Sequence, residues 1–130
     1  MRRRAGRALG ESRIVPRMSA YLLLASELYS LPVLRPVAAA ALAAGHRVGW
    51  LCDDAVAPRL HADEPRIASR SALRAFAADV TFATVHRIPP QLPGKQVQLF
   101  HGLNIDKRDD AGRGHFRIRG LFDLYCTHGP

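Results

Sequence analysis

The sequence lacks the features that mark several specialised classes of protein. Two cysteines in 130 residues are too few for a disulfide scaffold, and the glycine content is too low for a collagen-like chain. No apolar run approaches the roughly 20 residues of a membrane-spanning helix. Residues 21–25 are apolar and follow a basic stretch, but Ser26 and Glu27 end the run before the ~7–15 residues that a signal peptide needs. A hydrophobic content of 48% over this length predicts one globular domain.

Several catalytic and binding motifs are also absent from the sequence. No G-x-G-x-x-G motif occurs, because Gly112 and Gly114 are followed by Arg117 where the third glycine would stand. Neither a G-x-x-x-x-G-K-[ST] phosphate loop nor a G-x-S-x-G nucleophile elbow is present, and the histidines and cysteines lack zinc-site spacing. Cys52 and Cys126 lie in apolar contexts, which suits a reducing cytosol, so we expect a cytoplasmic protein.

The positive charge is concentrated at the N-terminus. The formal net charge is +8, and residues 1–17 carry six arginines against the single carboxylate of Glu11. We expect residues 1–18 to form a disordered basic leader, with Met18 as a second possible start, and residues 19–130 to form the folded domain. Contact of the leader with anionic lipid headgroups is one functional alternative, and contact with nucleic-acid phosphates is another. The leader has no aromatic residue to stack on a base, so we expect no nucleic-acid partner.

Short apolar runs alternate with helical patterns from residue 21 onward. A helix is predicted to end near residue 44, where Gly45 is placed to cap it. A second, short helix is predicted from a Ser71 cap to Ala77. The face that the first helix is predicted to bury carries Leu34, Val37, Ala41 and Ala44. Buried strands are predicted over residues 21–25, 46–52, 80–85, 95–100 and 121–127.

This alternation predicts an α/β fold, a Rossmann-like parallel sheet with flanking helices. In such open sheets ligands bind beyond the carboxyl ends of the strands. The residues expected there are Ser26-Glu27, Asp53-Asp54, Val85-His86, His101-Gly102 and His128-Gly129. Because the chain stops at Pro130 without a helix to continue the sheet, we expect a truncated protein that lacks its C-terminal half. A small complete domain closed by a partner chain is the alternative.

His101 is the most informative of these residues. A histidine directly after a buried strand has a rigid support, and an imidazole that titrates near neutral pH can take a proton from an attacking hydroxyl. Gly102 permits positive φ and close approach of a ligand. The cationic loop that follows, beginning at Lys107 and Arg108, could hold a phosphate through its guanidinium groups. On pattern alone, a structural turn histidine and a solvated, internally paired loop remain alternatives.

The other polar residues at the predicted carboxyl edge have weaker signals. His128-Gly129 repeats the arrangement of a strand followed by His-Gly, with a turn histidine as the alternative. Asp53-Asp54 could bind a ribose or a metal, or form a helix cap or solvated turn. Glu27 could orient a partner or lie in a surface turn. Three isolated histidines are interpreted as structural or surface groups, and these are His46, His61 and His86.

Four segments together resemble a known bacterial family. Residues 99–104 read LFHGLN, 107–108 read KR, 114–123 read GHFRIRGLFD and 127–130 read THGP. This combination is similar to the CDP-glycerol glycerophosphotransferase family, over roughly residues 20–130. Members of that family are two-domain GT-B enzymes that transfer glycerol phosphate from CDP-glycerol to a polyol-phosphate or glycolipid acceptor, as in teichoic-acid synthesis for the cell envelope. The resemblance implies that this chain is the N-terminal, acceptor-side half of a GT-B architecture.

The resemblance also implies roles for individual residues. His101 corresponds to the general base, Gly102 shapes its loop, and Phe100 matches an aromatic position before the histidine. The residues expected to bind substrate are Gly102, Asn104, Lys107, Arg108, His128 and Gly129. The implied partners are CDP-glycerol, the acceptor, an anionic surface at the inner face of the cell membrane, and a missing or separate C-terminal domain. No cofactor and no obligatory metal are implied.

Without that second domain, which supplies another essential histidine and most of the CDP-glycerol site, we expect the isolated fragment to be inactive. Two other functions remain open from the sequence. One is a related GT-B enzyme, either a nucleotide-sugar epimerase or a glycosyltransferase. The other is a non-catalytic module that binds phosphate or polyanions through the basic leader and the cationic loop.

Overall fold

The computed structural model describes residues 17–86, 88–99, 110–112 and 121–126. The strands within these ranges are β1 (Ala20–Ala25), β2 (Arg47–Cys52), β3 (Val80–Ala83), β4 (Lys95–Leu99) and β5 (Leu124–Cys126). The helices are α1 (Ser30–Ala43), a single 3-10 turn (Ala57–Arg59) and α2 (Arg70–Phe76). The predicted leader lies outside the described residues except for Arg17 and Met18, which are exposed.

The described strands form one parallel sheet in the order β2-β1-β3-β4-β5. The α/β, Rossmann-like fold predicted from the sequence is therefore confirmed. The strands are slightly shorter than predicted at several ends. β3 stops at Ala83, and the hydroxyl of the next residue, Thr84, bonds to the start of α1 rather than to a neighbouring strand.

Helix α1 packs on one face of this sheet. Its small alanines allow a close approach to the strands, and Gly45 ends it at φ +80° as predicted. Leu34 and Ala41 are buried as predicted. The rest of the buried face differs from the prediction, because Ala38 is buried and Ala44 is exposed. The buried residues of α1 are Ser30, Leu31, Leu34, Ala38 and Ala41.

β1, β2 and β3 each contribute to two apolar layers because successive side chains point to opposite faces. Leu23 and Trp50 belong to the layer under α1, where Trp50 is one of the largest fully buried side chains. Leu24 and Ala83 belong to the opposite layer, together with the buried ring of Phe122. Burial of the central strands on both faces explains their continuous rather than alternating apolar sequences.

Helix α2 covers the opposite face beside β2. A Cβ at Gly49 would lie 3.1 Å from the Phe76 ring, so glycine at this strand position lets the helix pack closely. The predicted cap at Ser71 was wrong. The Oγ atom of Ser69 accepts a 3.1 Å bond from the backbone N–H of Ala72, and Ser71 already lies in the first turn.

Polar side chains at the amino edge of the sheet tie strands together. Asp79 accepts a 2.8 Å bond from the backbone N–H of Ala20, and His46 accepts one of 3.1 Å from Ser19. Asp123 accepts a 2.8 Å bond from the N–H of Gln96, and this bond holds the pKa of the Asp123 carboxyl below its usual range. These polar groups at the amino edge therefore stabilise the sheet by joining neighbouring segments.

Candidate functional site at the carboxyl edge of the sheet

The carboxyl edge brings together the ends of β1, β2 and β3. β2 pairs with one side of β1, and β3, followed by β4, lies on the other side of β1. The ends of β1 and β3 therefore flank a topological switch point, where open α/β sheets form their ligand crevice. Glu27 follows β1 and is exposed, and His86 follows β3 and is half-buried.

A buried pair of hydroxyl groups forms the floor of this switch point. The Oγ atom of Ser30, the first residue of α1, lies 2.8 Å from the Oγ1 atom of Thr84, the first residue after β3. Both residues are buried, with 0% and 2% of their surfaces exposed. The two hydroxyls form a hydrogen bond with each other, so neither is left without a partner. This bond joins the start of α1 to the end of β3.

A second polar cluster joins the ends of β3 and β4. Gln98 is 1% exposed, and its Nε2 atom lies 3.1 Å from the carbonyl oxygen of Val85 and 2.9 Å from Nδ1 of His86. A carbonyl oxygen can only accept, so the Gln98 amide must present its nitrogen on this side. The same nitrogen therefore donates to Nδ1 of His86, which fixes the imidazole as the neutral tautomer with its proton on Nε2.

The amide oxygen of Gln98 is the unsatisfied part of this cluster. Its Oε1 atom is buried and has no hydrogen-bond partner within the described part of the chain. Buried polar atoms are normally paired, so this oxygen is an exception among the described residues, an unused hydrogen-bond acceptor near the ends of β3 and β4. Gln98 was not singled out from the sequence, although a polar residue between Val97 and Leu99 in a buried strand was an available signal.

The end of β2 is organised as a turn. The carbonyl oxygen of Asp53 accepts bonds from two backbone N–H groups that open the 3-10 turn, and the Asp54 carboxylate lies 2.6 Å from Nη2 of Arg66. Both aspartates are exposed. Burial raises the pKa of the neighbouring Cys52 thiol, which disfavours the reactive thiolate form. Asp53-Asp54 therefore fit the turn interpretation of the sequence.

Tyr29 and Glu27 lie at the end of β1. Burial, and then the charge of Glu27, raise the pKa of the Tyr29 hydroxyl. The phenol is therefore neutral at physiological pH. Tyr29 also precedes the first residue of α1, so the entrance to the helix carries an aromatic side chain that is 45% exposed.

The site residues predicted from the family resemblance lie outside the described residues. They are His101, Gly102, Asn104, Lys107, Arg108, His128 and Gly129. The described strands that precede them are adjacent, because β4 pairs with β5. What the structure adds to the prediction is the position of the strand ends that lead into these segments.

Among the described residues, no group of three or more His, Cys, Asp or Glu side chains is placed to hold a metal ion. The helices of these described residues all lack the length and the apolar character that crossing a membrane requires. Comparison of the chain with protein-family models, with curated proteins and with solved structures gave no significant match.

Proposed function

We propose that this chain is the acceptor-side domain of a glycerophosphotransferase. In this proposal the enzyme moves glycerol phosphate from CDP-glycerol to a hydroxyl of a polyol-phosphate or glycolipid acceptor, and His101 is the general base. Support comes from the parallel α/β sheet, whose carboxyl edge is the ligand side of such folds, and from the sequence resemblance of residues 99–130.

The observation that carries the proposal is the pairing of the last two strands. Leu99 and Cys126 are register partners in the parallel β4–β5 pair. His101 and His128 each follow their partner residue by two positions in the sequence, and each is followed by glycine. Two His-Gly dipeptides at equal chain distance from paired strand ends fit a polar site shared by neighbouring strands.

The proposed reaction is a phosphoryl transfer with the imidazole of His101 as proton acceptor. His101 takes the proton of an acceptor hydroxyl, and the resulting oxygen nucleophile attacks the β-phosphorus of CDP-glycerol. The bond from this phosphorus to the bridging oxygen breaks, and CMP leaves with the bond's electron pair. Lys107 and Arg108 are assigned to the phosphates of the acceptor, where their positive charges offset the anionic ligand.

Peripheral attachment to the inner face of the cell membrane is part of the proposal. The arginines of residues 1–17 supply a cationic segment, and each basic residue near an anionic surface contributes about 1 kcal/mol to binding. Flotation with liposomes tests this attachment. We expect binding to vesicles that contain anionic lipid and loss of binding when residues 2–17 are deleted, whereas indifference to lipid charge would contradict it.

The reaction class is tested by substrate discrimination with the full-length product of the gene. We expect CMP release from CDP-glycerol that depends on a glycerol-phosphate acceptor and no release of UMP or UDP from UDP-sugars. Turnover of UDP-sugars without turnover of CDP-glycerol would instead identify a related GT-B epimerase or glycosyltransferase. Salt-sensitive binding of polyanions with no turnover of either donor would identify a binding module.

A further inference from the structure

A cavity of about 310 Å³ lies on the α2 face of the sheet. Its walls come from α2 and from the proline-rich segment that joins β3 to β4, and Leu51 of β2 contributes to the lining. This volume lies at the lower end of the range of small-molecule sites. It therefore fits a small ligand rather than a polymer.

The cationic wall of the cavity is formed by Arg70 and Arg74, which lie one turn apart on α2. In the described part of the chain, no carboxylate lies within ion-pair distance of either guanidinium. Arg35 and Arg66, by contrast, each have a carboxylate partner at 2.8 Å or closer. None of the described residues that line the cavity is acidic, so this part of the lining carries two positive charges and no negative charge to balance them.

The opposite wall contains a strained backbone position. Gln91 has φ +80°, a conformation that glycine or asparagine usually adopts in a turn after proline. Pro89 and Pro90 precede it and make this wall stiff, and the Gln91 side chain supplies an amide at the cavity. A glutamine in a position that favours glycine indicates that its side chain has a use, and strained residues cluster at ligand-binding sites.

We propose that this cavity binds the phosphate group of a small phosphomonoester. Arg70 and Arg74 pair with the phosphate oxygens, the Gln91 amide donates a further hydrogen bond, and Leu51 and Leu73 contact the carbon part of the ligand. A phosphomonoester carries nearly two negative charges at neutral pH, which matches the two guanidinium groups, whereas a carboxylate carries one. The proposal does not depend on transferase activity, because Arg70, Arg74 and Gln91, from which it is argued, have no role in that reaction.

The test is calorimetric titration of the whole chain with sn-glycerol 3-phosphate, with glycerate as a carboxylate of similar size. We expect the phosphate ester to bind, and Arg70→Gln and Arg74→Gln each to raise its Kd about tenfold or more. Arg59→Gln is the matched control, because Arg59 is exposed on the 3-10 turn and does not line the cavity, and we expect no change in Kd. Thermal unfolding followed by circular dichroism verifies that each variant is folded.

Vesicles containing phosphatidic acid distinguish a lipid headgroup from a free ester. Stronger binding to these vesicles than to vesicles of phosphatidylglycerol, which is anionic but has no phosphomonoester, and loss of this difference in Arg70→Gln would support the site and identify a lipid ligand. Binding of the soluble ester without such a preference would support the site and identify a free metabolite. An unchanged Kd in both arginine variants, equal binding of glycerate, or no binding of any phosphate probe would overturn the proposal.

A substitution at Gln91 tests the proposed site independently of the two arginines. Gln91→Gly relieves the backbone strain but removes the amide, so we expect weaker binding of sn-glycerol 3-phosphate with no loss of thermal stability. An unchanged Kd in this variant would contradict the role of Gln91 in the site.

Discussion

Nε2 of Gln98 lies 2.9 Å from Nδ1 of His86, and this contact joins the ends of two neighbouring strands through side chains. Because the same nitrogen also donates to the carbonyl oxygen of Val85, it determines which ring nitrogen of His86 carries the proton. A histidine that is isolated in the sequence is therefore held in one tautomer by a buried glutamine twelve residues further along the chain.

The Gln98 contact predicts both a stability effect and an NMR signature. Gln98→Leu leaves Val85 O and His86 Nδ1 without their donor, so we expect a loss of about 2 kcal/mol in the free energy of unfolding, measured in urea. Gln98→Glu places a carboxylate among acceptors in the interior and is expected to cost more. In the wild type, ¹⁵N shifts of the His86 ring should show Nε2 protonated and Nδ1 bare. Protonated Nδ1 in neutral His86 would contradict this assignment.

The buried hydroxyl pair predicts non-additive mutations. Ser30→Ala leaves the buried hydroxyl of Thr84 without its partner, and Thr84→Val does the same to the hydroxyl of Ser30. Each change should therefore lower the free energy of unfolding by about 1–2 kcal/mol. The double variant removes both groups and should cost less than the sum of the two single changes. A double-mutant cycle by urea unfolding measures the coupling. Strict additivity would show that the 2.8 Å contact contributes nothing to stability.

Glu64 predicts a pH dependence of stability near α1. Arg35 bonds to both carboxylate oxygens at 2.8 and 3.0 Å and holds the pKa of Glu64 below its usual range. Since the folded pKa is lowered, the stabilisation is present above the unfolded value and disappears as pH falls through the folded one. We expect Glu64→Gln to cost about 1 kcal/mol at pH 7 and almost nothing at low pH.

The neighbouring exposed carboxylate supplies the control for this measurement. Asp63 makes no ion pair within the described part of the chain, so Asp63→Asn should change the free energy of unfolding little at either pH. Unfolding curves for both variants across the acidic range separate the two residues. A Glu64→Gln penalty that persists at low pH would contradict the charged interaction.

Two glycines at similar backbone angles predict different penalties. Gly94 has φ +76°, and a Cβ there would lie 2.3 Å from the carbonyl oxygen of Asp79. Gly45 has φ +80° but open space around it. We expect Gly45→Ala to cost about 1 kcal/mol for the left-handed conformation alone and Gly94→Ala to cost roughly 3 kcal/mol or more. Thermal unfolding measures both, and equal penalties would contradict the close approach at Gly94.

The parallel sheet was predictable from the sequence because its signal is local. Residues 21–25 and 46–52 are continuous apolar runs bounded by polar or turn residues, and a strand buried on both faces requires such a run. Gly45 was predictable as a helix end for the same reason, since the left-handed conformation that ends a helix concerns a single residue and favours glycine there. Boundaries were less accurate, as with Ser69 and Ser71, because two serines at neighbouring positions both satisfy the capping pattern.

The polar clusters of the carboxyl edge could not be predicted in the same way. The contact between Gln98 and His86 depends on the pairing of β3 with β4 and on their register, neither of which is encoded by residues close in sequence. The Ser30–Thr84 contact spans 54 residues and needs α1 to lie over the end of β3. Such contacts follow from topology, so the sequence revealed the edge of the sheet but not the side chains that meet there.

The measurement that tests the central claim most directly is CMP release from CDP-glycerol by the His101→Ala variant of the full-length gene product. His61→Ala is the control, because His61 is an exposed histidine whose side chain lies beside Glu64, away from the carboxyl edge. We predict a fall in turnover of roughly a hundredfold or more for His101→Ala, the contribution expected of a general base, and wild-type turnover for His61→Ala. Full activity in His101→Ala would contradict the proposed function of this residue.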